Sequence, residues 1–350
     1  MNCRSFLVPI FIVSLAIAGF TQTTQTISFK VAGVTRSFVA HIPSGISKPA
    51  LVFFVHGYGG SGTSFESDTK ADKVADREKF IAVYPSAISG SWAMNDTTDY
   101  PFLLAIIDTV DARYHIDRNR VYCTGFSQGG FISFGLGYKY PNIFAAVAPV
   151  SGHIPSFATS KTIKRAVPMF LTFGTNDVSS VATFMADDTT WLKFDTCPAT
   201  RTVIRPYPST NSKSVITRVT YSCANGSSVV YDSVVGGPHE WAMDTVTKVN
   251  TSEEVWAFFK KYSLPTTTAV YRQTASVVRE SVSASYSSGI VRLCGVSENS
   301  RVHVFDTKGR LAARATVTQQ QFTFKDKPSG VYMLMVSGSE AQIAIKMVIP

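Results

Sequence analysis

The sequence predicts a doubly wound α/β sheet followed by a small all-β unit. Short apolar runs alternate with stretches of helical spacing over about 200 residues, which is typical of an α/β sheet. Runs such as "ALVFFV" and "PMFLTF" are apolar throughout, as expected of parallel strands that are buried on both faces. The C-terminal part of the chain holds shorter runs of alternating polarity, which predict antiparallel strands. With 45% hydrophobic and 16% charged residues, the 350-residue chain has a globular composition.

The predicted elements of the sheet follow one another from residue 27 to residue 262. The stretch "TISFKVAGVTRSFVAHIP" predicts a hairpin that turns at Ala32 and Gly33. "ALVFFVHGYGGSG" predicts a buried strand that ends in a glycine-rich loop, and a helix is predicted over residues 64–78. The later elements are the strand "FIAVYPS", the helix "YPFLLAIIDTVDARYH", the strand "RVYCTGF", a helix after Ser127, the strands "FAAVAPVSG" and "PMFLTFGTND", and the helix "SEEVWAFFKKY".

The composition changes after residue 263. "LPTTTAVYRQTASVVRESVSA" is rich in threonine, serine and valine without a clear period, which predicts a linker over residues 264–284. The turn signal Asp306 to Gly309 lies between two alternating runs. Residues 285–350 are therefore predicted to form a small β-sandwich, and residues 22–263 the α/β unit.

The first 21 residues have the pattern of a secretory signal. Arg4 precedes an apolar run of about 15 residues, and small residues follow at Ala16 and Ala18. The alternative, a membrane anchor, needs about 20 apolar residues, and this run is shorter. Cys3 lies too early to be a lipid-anchor cysteine at the cleavage point. We therefore expect a secreted protein that is extracellular or attached to the cell surface.

The positive charge of the chain is concentrated in its tail. Formal net charge is +9, and from Pro265 onward there are ten Lys and Arg against five Asp and Glu. No zinc-finger spacing, recognition-helix cluster or aromatic and basic motif accompanies this charge, so no nucleic-acid partner is predicted. A basic tail can adhere weakly to acidic polymers, but a solvated basic face is the preferred interpretation.

Two of the five cysteines are predicted to form a disulfide, which export permits. Cys3 leaves with the signal, Cys123 sits in an apolar strand, and Cys294 is far downstream. Cys197 and Cys223 remain, each at the margin of a polar loop. A bridge between them would close a loop of about 26 residues and stabilise the fold by about 3 kcal/mol.

The stretch Gly125-Phe126-Ser127-Gln128-Gly129-Gly130 interrupts an apolar run. Glycines two positions either side of a serine suit a strand that turns sharply into a helix and leaves the hydroxyl exposed. A serine becomes a nucleophile only when a histidine takes its proton and a carboxylate holds that histidine. The motif alone is weak evidence for a nucleophile, so the interpretation depends on whether the chain also supplies a suitable histidine and carboxylate.

Asp177 and His239 are the predicted partners, in the chain order of serine, acid and histidine. Asp177 follows the strand "MFLTFGTND", whereas the alternatives Asp187 and Asp188 lie inside a predicted helix. His239 follows a strand and a Gly-Gly-Pro turn. The other histidines precede the serine or the acid, or belong to the tail: His41, His56, His115, His153 and His303.

An oxyanion hole requires two backbone N–H groups beside the nucleophile. The predicted donors are Gln128, directly after Ser127, and Tyr58 in the glycine-rich loop after the early strand. His56 is adjacent to that loop and could be read as catalytic. We interpret it as a residue that braces the loop through hydrogen bonds.

Six segments together resemble a known group of enzymes. They are "VHGYGGSG", "IAVYPS", "RVYCTGFSQGG", "YPNIFAAVAPVSG", "FGTND" and "GGPHEWA". In this order they are similar to secreted esterases that include feruloyl esterases, acetyl xylan esterases and short polyhydroxybutyrate depolymerases. The resemblance spans about residues 27–262 and implies an α/β-hydrolase with Ser127 as nucleophile, Asp177 as acid and His239 as base. It also implies a bridge between Cys197 and Cys223, while Gly-Gly-Pro-His departs from the Gly-Gly-Gly-His that is frequent in these enzymes.

The tail resembles, through "VHVFDTKGRLAARATV" and "PSGVYMLMVSG", C-terminal modules that sort secreted proteins to the outside or to the cell surface. This resemblance implies export or attachment machinery as a partner of the tail.

The resulting hypothesis is a secreted carboxylic ester hydrolase that removes feruloyl or acetyl groups from plant cell-wall xylan. An alternative keeps the chemistry but acts on polyhydroxyalkanoate. A hypothesis of another class is a non-catalytic binding protein with a hydrolase-like fold, which would have lost a member of the triad. Trp92 and Trp241 are predicted to stack on the substrate, although packing explains them equally. No cofactor and no metal are predicted.

Overall fold

The computed structural model describes residues 21–93, 98–159, 165–265, 283–294, 296, 298–306, 311–326, 328–337 and 342–349. The chain divides into two compact units, Met1–Pro265 and Thr266–Pro350. Apart from residue 21, the predicted signal segment lies outside the described residues, as does most of the predicted linker.

The first unit is built on one ten-stranded sheet with helices between its strands. Its strands are β1 (Thr23–Val31), β2 (Val34–Ile42), β3 (Leu51–Val55), β4 (Ile81–Pro85), β5 (Val121–Phe126), β6 (Ala146–Val150), β7 (Met169–Gly174), β8 (Thr202–Ile204), β9 (Ile216–Ser222) and β10 (Ser228–Val234). Its helices are α1 (Gly62–Thr69), α2 (Asp72–Glu78), α3 (Asp99–Tyr114), α4 (Gln128–Lys139), α5 (Val181–Phe194) and α6 (Thr251–Phe259). No helix in the described ranges is long and apolar enough to cross a membrane.

The strand order is β1-β2-β4-β3-β5-β6-β7-β10-β9-β8. The six central strands, from β4 to β10, pair in parallel. Antiparallel pairs close the sheet at both edges. The predicted doubly wound sheet is confirmed, and the carboxyl ends of its central strands meet at one edge, where ligands bind in such sheets.

The core lies on both faces of the central strands. In β3, Leu51, Phe53 and Val55 pack into one hydrophobic cluster, while Val52 and Phe54 pack into the cluster on the opposite face. This division explains why the sequence of β3 is apolar throughout, because a strand buried on both faces has no polar side.

The hairpin between β1 and β2 turns where the sequence predicts. Val31 pairs with Val34, and the two residues between them have positive φ, 48° at Ala32 and 85° at Gly33. Two positive φ values are the requirement of a type I′ turn, whose twist matches that of the flanking strands.

The helix predicted over residues 64–78 is wrong in one respect, because the structure has two helices there. Helix α1 begins with a reciprocal cap between Ser61 and Ser64 and ends at Lys70, which has the left-handed φ of 49°. Helix α2 then starts at Asp72 and ends at Glu78. Capping at Ser61 therefore places the start of α1 directly after the glycine-rich loop.

The disulfide between Cys197 and Cys223 is confirmed. It joins the segment after α5 to the segment after β9, and 26 residues separate the two cysteines. Cys123 is a free, buried thiol on β5, and burial raises its pKa to about 12.

The second unit is all-β, as predicted. Its strands are β11 (Ser283–Ser287), β12 (Ile290–Cys294), β13 (Arg301–Asp306), β14 (Leu311–Thr316), β15 (Gln321–Thr323), β16 (Gly330–Ser337) and β17 (Gln342–Ile349). They form a sheet of three strands, β11-β12-β15, and a sheet of four, β14-β13-β16-β17. Side chains of both sheets, such as Leu293 and Leu334, share one hydrophobic cluster. The predicted turn at Asp306 to Gly309 lies mostly outside the described residues.

Asp188 on α5 gives the first unit a pH-dependent stability. Its side chain is buried, and neither carboxylate oxygen has a hydrogen-bond partner among the described residues. Burial raises its pKa to about 7. Between the unfolded value of about 4 and this folded value, the folded protein holds a proton that the unfolded chain has lost. The contribution of Asp188 to the free energy of unfolding is therefore most favourable at low pH and falls as the pH rises to about 7.

We expect Asp188→Asn to remove this part of the pH dependence. Relative to the wild type, the free energy of unfolding of the variant should increase by about 3 kcal/mol between pH 5 and pH 8. Urea unfolding at the two pH values measures it. Asp108→Asn, at an exposed carboxylate on α3, is the matched control. Parallel pH profiles of wild type and Asp188→Asn would contradict the prediction.

Candidate active site

Ser127 occupies the sharp turn between β5 and α4. Strand β5 ends at Phe126 and helix α4 begins at Gln128, so the serine is the single residue between them. Its backbone has φ 54° and ψ −116°, a strained conformation for a residue with a side chain. The predicted strand–turn–helix context of the motif is therefore present.

Close backbone contacts explain the glycines around this serine. A Cβ atom at Gly129 would overlap the carbonyl oxygen of Val55 on β3, and one at Gly125 would overlap the carbonyl oxygen of Gly129. A Cβ at Gly130 would lie 2.8 Å from the Cα of Gly152. Larger residues cannot occupy these positions without moving α4 away from the sheet.

Asp177 and His239 are hydrogen-bonded to each other. Asp177 follows β7 and His239 follows β10, the parallel neighbour of β7. His239 Nδ1 lies 2.9 Å from Asp177 Oδ1, and the carboxylate is fully buried. The two loops are also joined by the Asn176 N–H, which donates to the Gly237 carbonyl at 2.9 Å. The structure thus brings the predicted acid and base together.

The histidine also lies beside the turn that carries Ser127. The rings of Phe126 and His239 have centroids 4.7 Å apart. In the described part of the chain, no hydrogen bond joins the Ser127 hydroxyl to His239. Because Nδ1 donates to Asp177, Nε2 is the nitrogen that can accept a proton. Hydrogen bonds of this kind are often long without substrate and tighten when substrate binds.

The predicted oxyanion donors, Tyr58 and Gln128, have unused N–H groups. Among the described residues, neither backbone N–H donates a hydrogen bond. Gly57, the neighbour of Tyr58, lies so close to Ser127 that a Cβ atom at Gly57 would stand 3.2 Å from the Ser127 Cβ. Two N–H groups without acceptors among the described residues thus lie near the serine, one in the adjacent loop and one on the next residue, which suits a developing oxyanion.

His56 braces the glycine-rich loop, as predicted. Its ring is buried, Nδ1 lies 2.6 Å from the Gly57 carbonyl oxygen, and Nε2 accepts the Ala87 N–H at 3.0 Å. Because Nε2 accepts, Nδ1 carries the proton. Burial lowers the pKa of His56, which keeps the ring neutral and both hydrogen bonds intact.

The two tryptophans occupy different environments. Trp92 is 2% exposed, its Nε1 donates to the His56 carbonyl at 2.9 Å, and its ring lies against that of His56. In this position Trp92 packs beneath the glycine-rich loop, and neither face of its ring is open to a substrate. The predicted stacking of Trp92 on the substrate does not fit this environment. Trp241 instead lines the cavity beside His239 and packs against Phe65.

That cavity has a volume of about 440 Å³. Aromatic side chains and two carboxylates line it, including Tyr58, Phe65, Asp68, Phe126, Glu240 and Trp241. Phe65, Asp68 and Phe126 are cavity residues that the sequence motifs alone do not identify. Phe126 directly precedes Ser127, and the other two lie on α1, which follows the glycine-rich loop. Nearness in sequence to these two motifs is the signal that could have identified all three.

A larger cavity of about 630 Å³ lies elsewhere in the first unit. It is lined by Ala145 and Pro168, which directly precede β6 and β7. It therefore opens at the amino ends of the strands, away from Ser127. In the described residues, no group of three or more His, Cys, Asp or Glu side chains could hold a metal ion.

A sequence profile described as the alpha/beta hydrolase fold matches residues 50–223. This range contains Ser127 and Asp177. It also contains five of the six parallel central strands of the sheet, β3, β4, β5, β6 and β7. The chain has the α/β-hydrolase fold. An acetyl xylan esterase from Aspergillus awamori has the same fold, with a TM-score of 0.55 and 16% identity over 68% of this chain and 99% of that one.

Three curated relatives of this chain are named as esterases or as a depolymerase. A bifunctional acetylxylan esterase/xylanase from Neocallimastix patriciarum is 34% identical over 148 residues, 41% of this chain and 22% of the relative. Feruloyl esterase B from Neurospora crassa is 34% identical over 116 residues, 30% of this chain and 40% of the relative. Poly(3-hydroxyalkanoate) depolymerase C from Paucimonas lemoignei is 29% identical over 170 residues, 45% of this chain and 41% of the relative.

The chain spans less than half the length of these three relatives. Their names agree with the predicted enzyme class, carboxylic ester hydrolase.

We expect Asp177→Asn to lower kcat by about 10⁴-fold, the loss known for a triad in which asparagine stabilises the wrong histidine tautomer. Hydrolysis of p-nitrophenyl acetate measures it. Asp76→Asn is the matched control, because Asp76 Oδ1 lies 2.9 Å from Nε2 of another histidine, His41. An equal loss in both variants, or none in Asp177→Asn, would show that Asp177 is not the acid.

Proposed function

We propose that this chain is a secreted carboxylic ester hydrolase that uses Ser127, His239 and Asp177 in an acyl-enzyme mechanism. The hydrogen bond between His239 Nδ1 and Asp177, beside a strained serine, carries the proposal. The free N–H groups of Tyr58 and Gln128 support it, because an acyl-enzyme mechanism needs an oxyanion hole in addition to the triad.

In the first half of the reaction, Ser127 Oγ attacks the ester carbonyl carbon and its proton passes to His239 Nε2. Asp177 stabilises the imidazolium that forms, and the N–H groups of Tyr58 and Gln128 donate to the oxyanion. When the tetrahedral intermediate collapses, the C–O bond to the alcohol breaks. The alcohol takes the proton from His239 and leaves an acyl group on Ser127.

In the second half, water replaces the alcohol. His239 Nε2 accepts a proton from the water as its oxygen attacks the acyl carbon. The second oxyanion occupies the same two N–H groups. Collapse breaks the bond between the acyl carbon and Ser127 Oγ, the serine regains the proton from His239, and the carboxylic acid is released.

The cavity supports an acyl group with an apolar or flat face. Phe65, Phe126 and Trp241 present aromatic surface beside His239, and aromatic rings stack on flat groups. Feruloyl or acetyl groups on plant cell-wall xylan are the substrates that we propose, a class that also appears in the names of two relatives. Trp241 remains the tryptophan proposed to contact them.

Two other functions are kept as alternatives. Extracellular polyhydroxyalkanoate depolymerisation would use the same triad, and the name of one relative favours it. A non-catalytic binding protein would be expected to have lost a member of the triad, and Ser127, Asp177 and His239 are all present.

Export is part of the proposal. The signal-like pattern of the first 21 residues and the disulfide between Cys197 and Cys223 both suit an oxidising environment. The basic all-β unit is proposed to sort the enzyme to the outside or to the cell surface.

We expect Ser127→Ala to abolish hydrolysis of p-nitrophenyl acetate without changing the fold, because alanine removes the nucleophile and leaves the turn in place. Turnover and a thermal melt, measured on the same preparation, test this. Ser133→Ala on α4 is a control at a buried serine whose hydroxyl donates to the Gly129 carbonyl. Turnover at the wild-type rate in Ser127→Ala would refute the assignment.

A parallel assay on three polymers tests the substrate. We expect the purified enzyme to release ferulate from feruloylated xylan or acetate from acetylated xylan, and little from polyhydroxybutyrate granules. The Ser127→Ala variant is the blank for each polymer. Release from the polyester alone would overturn the cell-wall substrate and leave the triad in place.

A further inference from the structure

A second hydrogen-bonded serine, histidine and aspartate lie close to the acid. His153 Nε2 lies 2.7 Å from the Ser179 hydroxyl, and His153 Nδ1 lies 2.6 Å from Asp187 Oδ2. Asp187 Oδ1 also accepts the Ile154 N–H at 3.3 Å. Because Nδ1 donates to a carboxylate, Nε2 accepts the Ser179 hydroxyl proton. We name Ser179, His153 and Asp187 the His153 cluster.

The His153 cluster joins three separate segments of the first unit. His153 follows β6, Ser179 lies between β7 and α5, and Asp187 is on α5. The His153 ring stacks on Phe184, with centroids 4.6 Å apart, and forms a T-shaped contact with Phe131 at 5.6 Å between centroids. The ring is therefore fixed by packing as well as by hydrogen bonds, and it can fix Ser179 in turn.

Ser179 connects the cluster to Asp177. The Ser179 N–H donates to Asp177 Oδ1 at 3.1 Å, the same oxygen that lies 2.9 Å from His239 Nδ1. The other oxygen, Oδ2, is buried without a hydrogen-bond partner among the described residues. The Ser179 N–H and His239 Nδ1 thus hold this carboxylate through one oxygen, and Ser179 is itself a member of the His153 cluster.

We propose that Ser179, His153 and Asp187 are positioning residues that hold Asp177 in its working orientation toward His239. This inference rests on the proposed function of the triad. Asp187 is therefore not the acid of the triad, because its hydrogen-bond partner is His153 and not His239. We call it the anchor of the cluster, since it fixes the His153 ring. None of the three residues lines the cavity beside His239, so the cluster acts on the orientation of the acid and leaves substrate binding unchanged.

Asp187→Ala removes the anchor. We expect kcat to fall by about 10- to 100-fold, the loss that a small displacement of a catalytic group produces, with KM unchanged. Ser179→Ala deletes the hydroxyl but keeps the N–H that donates to Asp177, so it should cause a smaller fall. Because it removes only one atom, Ser179→Ala also tests the proposal if Asp187→Ala fails to fold.

The same unit supplies a matched control. The Thr24 hydroxyl lies 2.7 Å from His41 Nδ1, and His41 Nε2 lies 2.9 Å from Asp76 Oδ1, which repeats the chain of hydroxyl, imidazole and carboxylate. Within the described part of the chain, no hydrogen bond joins these three residues to Ser127, Asp177 or His239. Asp76→Ala should lower thermal stability while leaving kcat within twofold of wild type. A fall in kcat as large as that of Asp187→Ala would reduce the cluster to a general stabilising role and overturn the proposal.

A double-mutant cycle separates positioning from stability. If the cluster acts through Asp177, Asp187→Ala should change the rate by less than twofold in an Asp177→Asn background. A full 10- to 100-fold loss in that background would overturn the proposal. The rate to compare is the labelling of Ser127 by a fluorophosphonate, followed by mass spectrometry, because it is measurable in weak variants.

Labelling also distinguishes a failure of this inference from a failure of the proposed function. A wild-type protein that is labelled at Ser127 but hydrolyses no ester would refute the proposed function, while the cycle would still test the cluster. Phosphonate on Ser179 would make the cluster a nucleophile in its own right and overturn its positioning role. Labelling at Ser127 alone, slowed by Asp187→Ala, is the result that we expect.

Discussion

The backbone of α4 approaches β3 so closely that only a glycine fits at position 129, where a Cβ atom would meet the Val55 carbonyl oxygen. This approach draws the start of the helix onto the end of the sheet and forces the residue before it, Ser127, into its strained backbone conformation. It also brings Gly57, and with it the loop of Tyr58, against the turn. Ser127 and the N–H groups of Tyr58 and Gln128 are thus placed by one packing constraint rather than by separate interactions.

Asp177 and His239 depend on a different constraint, the parallel pairing of β7 and β10. Val234 pairs with Gly174, so the loops after these strands start side by side. Residues 62 positions apart in sequence, Asp177 and His239, then need only short loops to meet. The two constraints operate at the same edge of the sheet, which is why strand order decides where the side chains of the proposed triad can meet.

Much of this arrangement is predictable from the sequence, because local patterns report it. Continuous apolar runs predict β3, β5 and β7, and the glycines around Ser127 predict a tight turn. The break between α1 and α2 has no such signal, since the left-handed residue is Lys70, which carries no conformational preference for that shape. Trp92 and His153 are likewise undetermined by sequence, because only tertiary packing decides whether a side chain near a loop points into the interior or toward a partner.

The burial of Cys123 affects how the protein can be handled. Thiol–disulfide exchange requires a thiolate, and a thiol with a pKa of about 12 in the interior of β5 supplies almost none at neutral pH. The native fold therefore keeps Cys123 from attacking the bridge between Cys197 and Cys223. Cys123 can exchange with the disulfide only when β5 leaves the sheet. Mispaired disulfides that include Cys123 would therefore show that the protein has unfolded, and not merely that it was stored without a reducing agent.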